Sequence, residues 1–286
     1  MTATKLPTEQ RRNEISFGSW TRLRLRGVSA IIAIALIGSA LTPASGEDKR
    51  IAARRAAEIK TFTDAQIMDG FFKVTFGSEF RTEGPIDHDR IRKFDSPVRI
   101  FIDNRGHPDR TAQLHQVIGE IRKRIDRLDI ALADSPQAAN MIVTLVRDRD
   151  LGETITNIYG REGAKKIQSK LEPQCLSGFR RDENYRIVHA KVILVVDAGE
   201  FVFYDCAYEE ILQALGPIND DNTVPWTMFN DNVQMGFFGV YDQYLLNILY
   251  HERMRPGMTR QEARALLHEI LPQVRAFVGQ TNKLPH

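Results

Sequence analysis

The chain has 286 residues, of which 42% are hydrophobic and 27% charged, so it has the balance of an ordinary globular protein with one sizeable core. The formal net charge of +2 comes from residues 1–46, which contain six Lys or Arg and two Glu, whereas the rest of the chain contains 33 basic and 35 acidic residues. A weakly acidic body gives no electrostatic reason to expect a nucleic-acid partner.

The N-terminal segment has the pattern of an export signal. Arg22, Arg24 and Arg26 precede an apolar run from Val28 to Leu41, and small residues follow as far as Gly46. The run is shorter than the roughly 20 residues of a membrane span. Residues 1–46 are therefore predicted to be a signal peptide cleaved after Gly46, and the protein to be periplasmic or secreted. The alternative is an uncleaved anchor, so any membrane contact is expected only through this segment.

The two cysteines fit an oxidising compartment, and we expect Cys175 and Cys206 to form a disulfide. Such a bond closes a loop of about 30 residues and is worth roughly 3–4 kcal/mol in the chain-entropy model. The alternative is two unrelated buried thiols. Without a Cys-x-x-Cys pair, a thiolate zinc site is not expected.

Residues 47–95 are predicted to form a helical extension and a connector. Residues 49–60 read as a solvated helix, and a second helix starts at Thr63-Asp64 and runs to about Phe76. Its inward face carries Ile67, Phe71 and Val74. The polar segment from Gly77 to Asp95 is the connector.

Residues 96–286 are predicted to be a domain in which strands alternate with helices. A β-rich run, Val98–Ile102, is followed by a helix with Pro108 in its first turn and an apolar stripe that begins at Leu114. Two further strands are expected at Met141–Val146 and Val188–Val196, with one or two short helices between them at residues 152–170.

Three helices complete the domain: Glu200 to Leu215, Val240 to Tyr250, and a last one that opens with a capping box at Thr259 and runs to about Val278. Alternating strands and helices predict an α/β layer with a mostly parallel sheet. Ser177-Gly178 is interpreted as part of a polar turn. Trp226 and Phe237-Phe238 are expected to be core or loop-anchoring aromatic residues rather than the lining of a cleft.

The helix that ends near Leu215 has the spacing of a zinc-protease helix. Glu209 and Gln213 lie four residues apart on one face, where zinc metalloproteases place two His ligands, and Glu210 stands at the position of their general base. Gly216 and Asn219 stand at the offsets of the glycine and the third ligand in the metzincin version. This spacing resembles the metzincins.

The downstream sequence extends that resemblance. Thr227-Met228-Phe229 lies where metzincins have a Met-containing turn, with Phe229 at the Met position. Asp242, followed by Leu249-Tyr250, resembles the next helix of matrix-type metzincins. The resemblance covers about residues 97–255, and it implies a metzincin-like mixed sheet packed on helices.

A closer resemblance is to a family of proteobacterial secreted proteins known only as a domain of unknown function. The shared pattern comprises Cys206, Glu209, Glu210, Gln213, Leu215, Gly216, Asn219, Asp220, Phe229-Asn230-Asp231, Asp242 and Pro256-Gly257-Met258. This resemblance implies no activity, because the family has no established one. Pro217, directly after Gly216, departs from both patterns.

The site helix lacks the donors that zinc catalysis needs. The amides of Gln213 and Asn219 are weak zinc ligands, so neither a metal nor another cofactor is expected. A hard cation such as calcium is the alternative, because Asp220, Asp231 and their Asn neighbours supply oxygens. The preferred interpretation of those Asn and Asp residues is Asx turns in a polar loop.

For Glu209, Glu210 and Gln213 the preferred interpretation is a buried hydrogen-bond network. We expect a non-catalytic binding module of the cell envelope, whose partner is a peptide, an envelope protein or a cell-wall fragment. One alternative is a hydrolase or peptidase that uses Glu210 as general base. The other is a structural envelope protein anchored in the membrane by its apolar leader.

Overall fold

The computed structural model describes residues 48–77, 89–168, 174–217 and 219–284, so the predicted signal peptide and part of the connector lie outside the described residues. The helices found there are α1 (Lys49–Ala56), α2 (Asp64–Thr75), α3 (Thr111–Arg124), α4 (Asp148–Gln168), α5 (Glu200–Ala214), α6 (Val240–Leu249) and α7 (Arg260–Asn282). The strands are β1 (Val98–Asn104), β2 (Ile130–Leu132), β3 (Met141–Val146), β4 (Cys175–Arg181) and β5 (Ile187–Val195). None of these helices combines the length and the apolar character that crossing a bilayer requires.

The five strands form one sheet in the order β2-β1-β3-β5-β4. The first four are parallel to their neighbours, and β4 runs antiparallel to β5 at one edge. The predicted α/β class with a mostly parallel sheet is therefore confirmed. The turn interpretation of Ser177-Gly178 is wrong, since both residues lie in β4. An edge strand with an exposed side needs no continuous apolar run, and β4 has none.

The two faces of the sheet carry separate apolar clusters. On β5, Val192 and Leu194 belong to the large core, and Ile193 and Val195 belong to a smaller cluster with α4. This alternation follows from the period of two in a strand. Helix α5 contacts β4 and β5, while α3 contacts both α5 and β2. Helix α4 contacts β3 and β5 and is interrupted at Gly160, whose φ is 74°.

The predicted helical extension contributes to the same large core as the sheet. Helix α2 begins with the capping box of Thr63, and its residues Ile67, Phe71 and Val74 are fully buried, as predicted. Ile51 of α1 is in the same cluster. Because α2 packs against α6 and α7, these residues close the side of the core that the sheet leaves open.

Helix α3 begins at Thr111, so the prediction that Pro108 lies in its first turn is wrong. The residues before the helix form a side-chain network instead. Asn104 donates to the Asp109 carboxylate, which also accepts from the Thr111 backbone N–H. Such Asx contacts compete with helical hydrogen bonds and delay the start of the helix. The apolar stripe from Leu114 is buried as predicted.

Two cations in the predicted connector are buried. Arg92 donates to the carbonyl oxygens of Thr75 and Gly77 at the end of α2. Lys93 donates to the carbonyl of Leu249, the last residue of α6, and to that of Met254 in the segment after it. Burial lowers the pKa of Lys93 to about 8. Each cation lies at the negative end of a helix dipole and satisfies carbonyls that the helix itself cannot. The segment around Arg92 and Lys93 therefore fixes the ends of α2 and α6 relative to each other.

Helix α5 ends in a turn that requires glycine. Gly216 has a φ of 144°, and a Cβ there would lie 2.4 Å from the carbonyl oxygen of Arg92 and 2.9 Å from Leu249. Beside it, the buried Tyr250 donates its hydroxyl proton to the carbonyl of Leu215. The end of α5 is thus fixed by close backbone approach and by a hydrogen bond from the segment after α6.

Replacing this glycine tests the turn. Gly216→Ala is expected to lower the free energy of unfolding by more than about 2 kcal/mol, because the methyl group meets backbone and the residue keeps a positive φ. Gly119→Ala is the matched control, since a Cβ at Gly119 of α3 meets nothing within 4 Å. That control should be neutral or stabilising by up to about 1 kcal/mol. Urea unfolding measures both, and equal effects would contradict the assigned turn.

Candidate functional site

One face of α5 carries a residue at every fourth position: Phe201, Asp205, Glu209 and Gln213. Residues four apart stack along a helix, so these side chains form one stripe. Each contacts a different part of the chain. The guanidinium of Arg50 lies 4.5 Å from the centre of the Phe201 ring. The stripe therefore joins the N-terminal helix to the loops that follow α5.

Asp205 holds the loop that precedes α6. Its carboxylate accepts backbone N–H bonds from Met235 at 2.6 Å and from Gly236 at 2.9 Å. Burial raises the pKa of Asp205, while these two bonds and the nearby Arg54 oppose that shift. A carboxylate that accepts backbone bonds fixes the loop against the helix.

Gln213 joins α5 to the edge strand. Its Oε1 accepts from the Ser177 hydroxyl of β4 at 3.2 Å, and its Nε2 donates to the Asp220 carboxylate at 2.8 Å. The side chain is 6% exposed. Gln213 therefore connects α5, β4 and the loop after α5, and the surface that these three form around Gln213 is called the floor.

Asn219 points away from this floor. Its side-chain amide donates to the carbonyl of Lys73 at 2.8 Å, and its backbone N–H donates to the carbonyl of Val74 at 3.2 Å. The structure thus brings Asp220, not Asn219, against Gln213, and Asn219 ties the loop to the end of α2. Pro217 limits how the chain can turn after Gly216.

Glu209 lies among four other carboxyl groups. The pKa of this half-buried side chain is raised well above its ordinary value, first by burial and then by Glu210, Asp220, Asp205 and Asp231, in that order. Within the described part of the chain Glu209 accepts no hydrogen bond. A carboxyl in this setting favours either a retained proton or a positively charged neighbour.

Glu210 is more deeply buried than Glu209, at 7% exposure. Burial and the charge of Glu210 together raise the pKa of Tyr159 to about 12. The ring of Tyr159 covers Gly178 of β4, where an added Cβ would lie 3.0 Å from the hydroxyl. Glu210 and the α4 side of the strand are therefore electrostatically linked.

The turn at residues 227–229 is held by α6. The fully buried Asp242 accepts hydrogen bonds from the Thr227 hydroxyl and the Met228 backbone N–H. Burial raises the pKa of Asp242 to about 7, and these two bonds oppose the shift. Phe229 is fully buried, and its carbonyl accepts from the Asp221 N–H. The turn, α6 and the loop after α5 thus form one connected unit.

The predicted disulfide between Cys175 and Cys206 is confirmed. It joins the first residue of β4 to the middle of α5, two turns before Gln213. This covalent bond and the Ser177–Gln213 hydrogen bond clamp the same strand to the same helix. A disulfide fits a periplasmic or extracellular location.

In the described part of the chain no three His, Cys, Asp or Glu side chains are arranged to hold a metal ion. The positions that the metzincin pattern assigns to ligands do not converge, since Asn219 faces α2. What the arrangement offers is a fixed surface of α5, β4 and the following loop, on which Glu209 is a half-buried carboxyl.

Neither Ser177 nor Tyr159 was predicted from the sequence to belong to this site. Ser177 was assigned to a turn because β4 was not recognised. The available signal was Cys175 itself, because a disulfide to the middle of α5 places the residues after it along that helix.

Comparison with known families gives one match. Residues 64–269 match the family described as "Protein of unknown function (DUF2927)". The match starts within α2 and ends within α7, so it includes the whole sheet, α5 and the turn held by Asp242. No curated protein and no solved structure matches the chain.

The disulfide gives a first prediction for this site. The double variant Cys175→Ala, Cys206→Ala is expected to unfold with a free energy lower by roughly 3–4 kcal/mol, because the loop that the bond closes is free in its unfolded state. Denaturant unfolding with and without reductant provides the check. Reductant should destabilise the parent and leave the double variant unchanged; a parent that is insensitive to reductant contradicts the pairing.

Asp242 gives a second prediction, which concerns pH. Its pKa is raised in the folded state from 3.8 to about 7, so the stability it contributes is complete below about pH 4 and is lost as the pH rises to about 7. The stability difference between the parent and Asp242→Asn should therefore fall across this range, by as much as about 4 kcal/mol. Urea unfolding at a series of pH values measures the difference. A difference that does not change with pH contradicts the assignment.

Proposed function

The chain belongs to this family of proteins of unknown function (DUF2927), and we propose that it is a non-catalytic binding module of the cell envelope that holds an extended peptide in the cleft between α5 and β4. The proposed location is the periplasm or the exterior, reached through the signal peptide at residues 1–46. The proposed function uses no cofactor.

The scaffold that we propose is metzincin-like. The order of its elements supports this: β1, a long helix, β3, β5, the site helix, a buried turn and a further helix. The bonds from Thr227 and Met228 to Asp242 join that turn to α6. The ligand positions of that scaffold are here occupied by Glu209, Gln213 and Asn219.

The observation that carries the proposal is the Gln213 bridge. The amide of Gln213 is hydrogen-bonded to both Ser177 and Asp220. Gln213, which stands at the position of the second metal ligand, therefore has a structural role. The cleft floor is then preorganised, which lowers the entropic cost of binding.

The edge strand favours a peptide over the other partners considered. Strand β4 pairs with β5 on one side, and no strand of the described residues pairs with its other side. An exposed strand edge can accept an extended peptide through main-chain hydrogen bonds. The carboxyl cluster around Glu209 adds a preference for a positively charged group on that peptide.

One observation favours a second candidate, a hydrolase. Glu209 and Glu210 are adjacent, and the pKa of Glu209 is raised partly by Glu210. Paired carboxyls with separated pKa values are used in acid–base catalysis. The burial of Glu210 argues against this role, because a general base must reach the substrate.

The test combines metal analysis with peptide binding on the purified exported protein. We expect far less than one zinc per chain, and saturable binding of Lys-containing peptides without cleavage. Glu209→Gln should weaken that binding about tenfold, because it removes a charge-assisted contact. Asp134→Asn is the control, since the exposed Asp134 follows β2 at the opposite edge of the sheet.

A different pattern would overturn the proposal in favour of a peptidase. That pattern is one tightly held zinc per chain, retained in Glu210→Gln, together with peptide cleavage that this substitution abolishes. Mass spectrometry of the incubated peptides distinguishes cleavage from binding.

A further inference from the structure

A second concave feature lies between α1 and the loop before α6. It is a half-open cavity of about 240 Å³. Apolar and aromatic side chains dominate its wall, among them Ile59, Trp226, Met235, Phe237 and Tyr241. Arg54, Glu58 and Gln234 add polar groups to this wall. None of the lining residues belongs to the floor formed by Glu209 and Gln213.

The cavity wall is preformed rather than loose. The ring of Trp226 packs on Phe62 and Tyr241, with ring centres 5.6 and 5.5 Å apart. The hydroxyl of Tyr241 donates to the carbonyl of Gln66 at 2.6 Å. Because Asp205 holds the backbone of Met235, both sides of the cavity are anchored to helices. An anchored apolar wall accepts a ligand without having to order itself first.

The size of the cavity sets the size of its occupant. It is smaller than the roughly 300–1,000 Å³ of typical small-molecule sites, and it suits one large side chain. At its rim, Ile59 is 57% exposed, the largest fraction among the large apolar residues in the described part of the chain. An apolar pocket beside an exposed apolar rim is the usual setting for an anchor side chain of a partner protein.

The charged residues around the cavity indicate which residues of the partner would flank that anchor. Helix α1 carries four cations: Lys49, Arg50, Arg54 and Arg55. Of the carboxylates near them, Asp48 pairs with Arg50, Glu58 accepts from the Val240 N–H and lies 3.8 Å from Lys60, and Asp205 holds its loop. Arg54, which lines the cavity, lies near Asp205, but within the described residues no carboxylate is within ion-pair distance of it. The rim on the α1 side therefore has a net positive charge.

We infer that this cavity docks a partner polypeptide that inserts one large apolar side chain, Leu or Phe, flanked by acidic residues. The anchor fills the space beside Trp226, and its acidic neighbours lie over α1. The contact is separate from the α5–β4 cleft and does not depend on what occupies it. Salt weakens it, because exposed charges are screened.

The test uses short synthetic peptides with one Leu or Phe between Asp and Glu residues, and the fluorescence of Trp226. The chain has two tryptophans, and the other, Trp20, lies in the predicted signal peptide. Peptide binding should change the emission of Trp226, and replacing the anchor by Ala or the acidic residues by Lys should weaken binding at least about tenfold.

Protein variants locate the contact. Ile59→Glu and Arg54→Glu alter exposed side chains, so the protein should remain folded and bind the acidic peptides at least about tenfold more weakly. The matched controls are Leu132→Glu, at another exposed apolar residue, and Arg122→Glu, on α3. Both should bind as the parent does. Glu209→Gln should also leave this binding unchanged, which separates the inference from the proposed function.

Three outcomes would overturn the inference. One is no binding of any anchored acidic peptide. Another is equal loss in the Ile59→Glu and Leu132→Glu variants. The last is a Trp226 response to N-acetylglucosamine oligomers or to anionic phospholipid vesicles, but not to the peptides, because it would assign the cavity to a sugar or a lipid surface.

Discussion

The clamp between α5 and β4 is the constraint on which the rest of the site depends. A disulfide joins Cys206 to Cys175, and two turns of helix further on Gln213 accepts a hydrogen bond from Ser177. One bond is covalent, and the other is a buried polar contact whose loss would leave an amide unsatisfied. Together they fix an antiparallel edge strand to the helix that carries Glu209. If β4 were held only by its pairing with β5, its position relative to α5 would not be fixed.

The end of the same helix is fixed by residues that are far away in sequence. Gly216 approaches the Arg92 carbonyl, Tyr250 bonds to Leu215, and Lys93 satisfies the carbonyls of Leu249 and Met254. The segment around Arg92 and Lys93 therefore connects the ends of three helices. Each buried cation is tolerated because carbonyl oxygens at helix ends surround it, where the helix dipoles favour positive charge. These contacts fix the position of the loop that follows α5.

Periodicity was enough to predict the elements with strong patterns, such as the stripe of α3 from Leu114, the strands β3 and β5, and the inward face of α2. It was not enough for β4, whose polar sequence reflects an exposed edge, or for the buried Arg92 and Lys93. Their burial depends on carbonyl groups as far away as Leu249, which no local pattern contains. The spacing of Glu209 and Gln213 correctly placed both residues on one face of a helix, α5. The orientation of Asn219 toward α2 depends on its bonds to the distant carbonyls of Lys73 and Val74, and the spacing of residues along α5 carries no such information.

The α5–β4 surface and the cavity beside Trp226 share one framework, because Asp205 and Glu209 lie on the same stripe of α5. This framework requires that α5 and β4 act as one rigid unit. Native-state hydrogen exchange of their amides tests it most directly. We expect the amides of Ser177 and its β4 neighbours that pair with β5 to exchange only with the same high opening free energy as those of α5, and both sets to lose protection together in Gln213→Ala. Strand amides that exchange by low-energy local opening, while α5 stays protected, would contradict the claim.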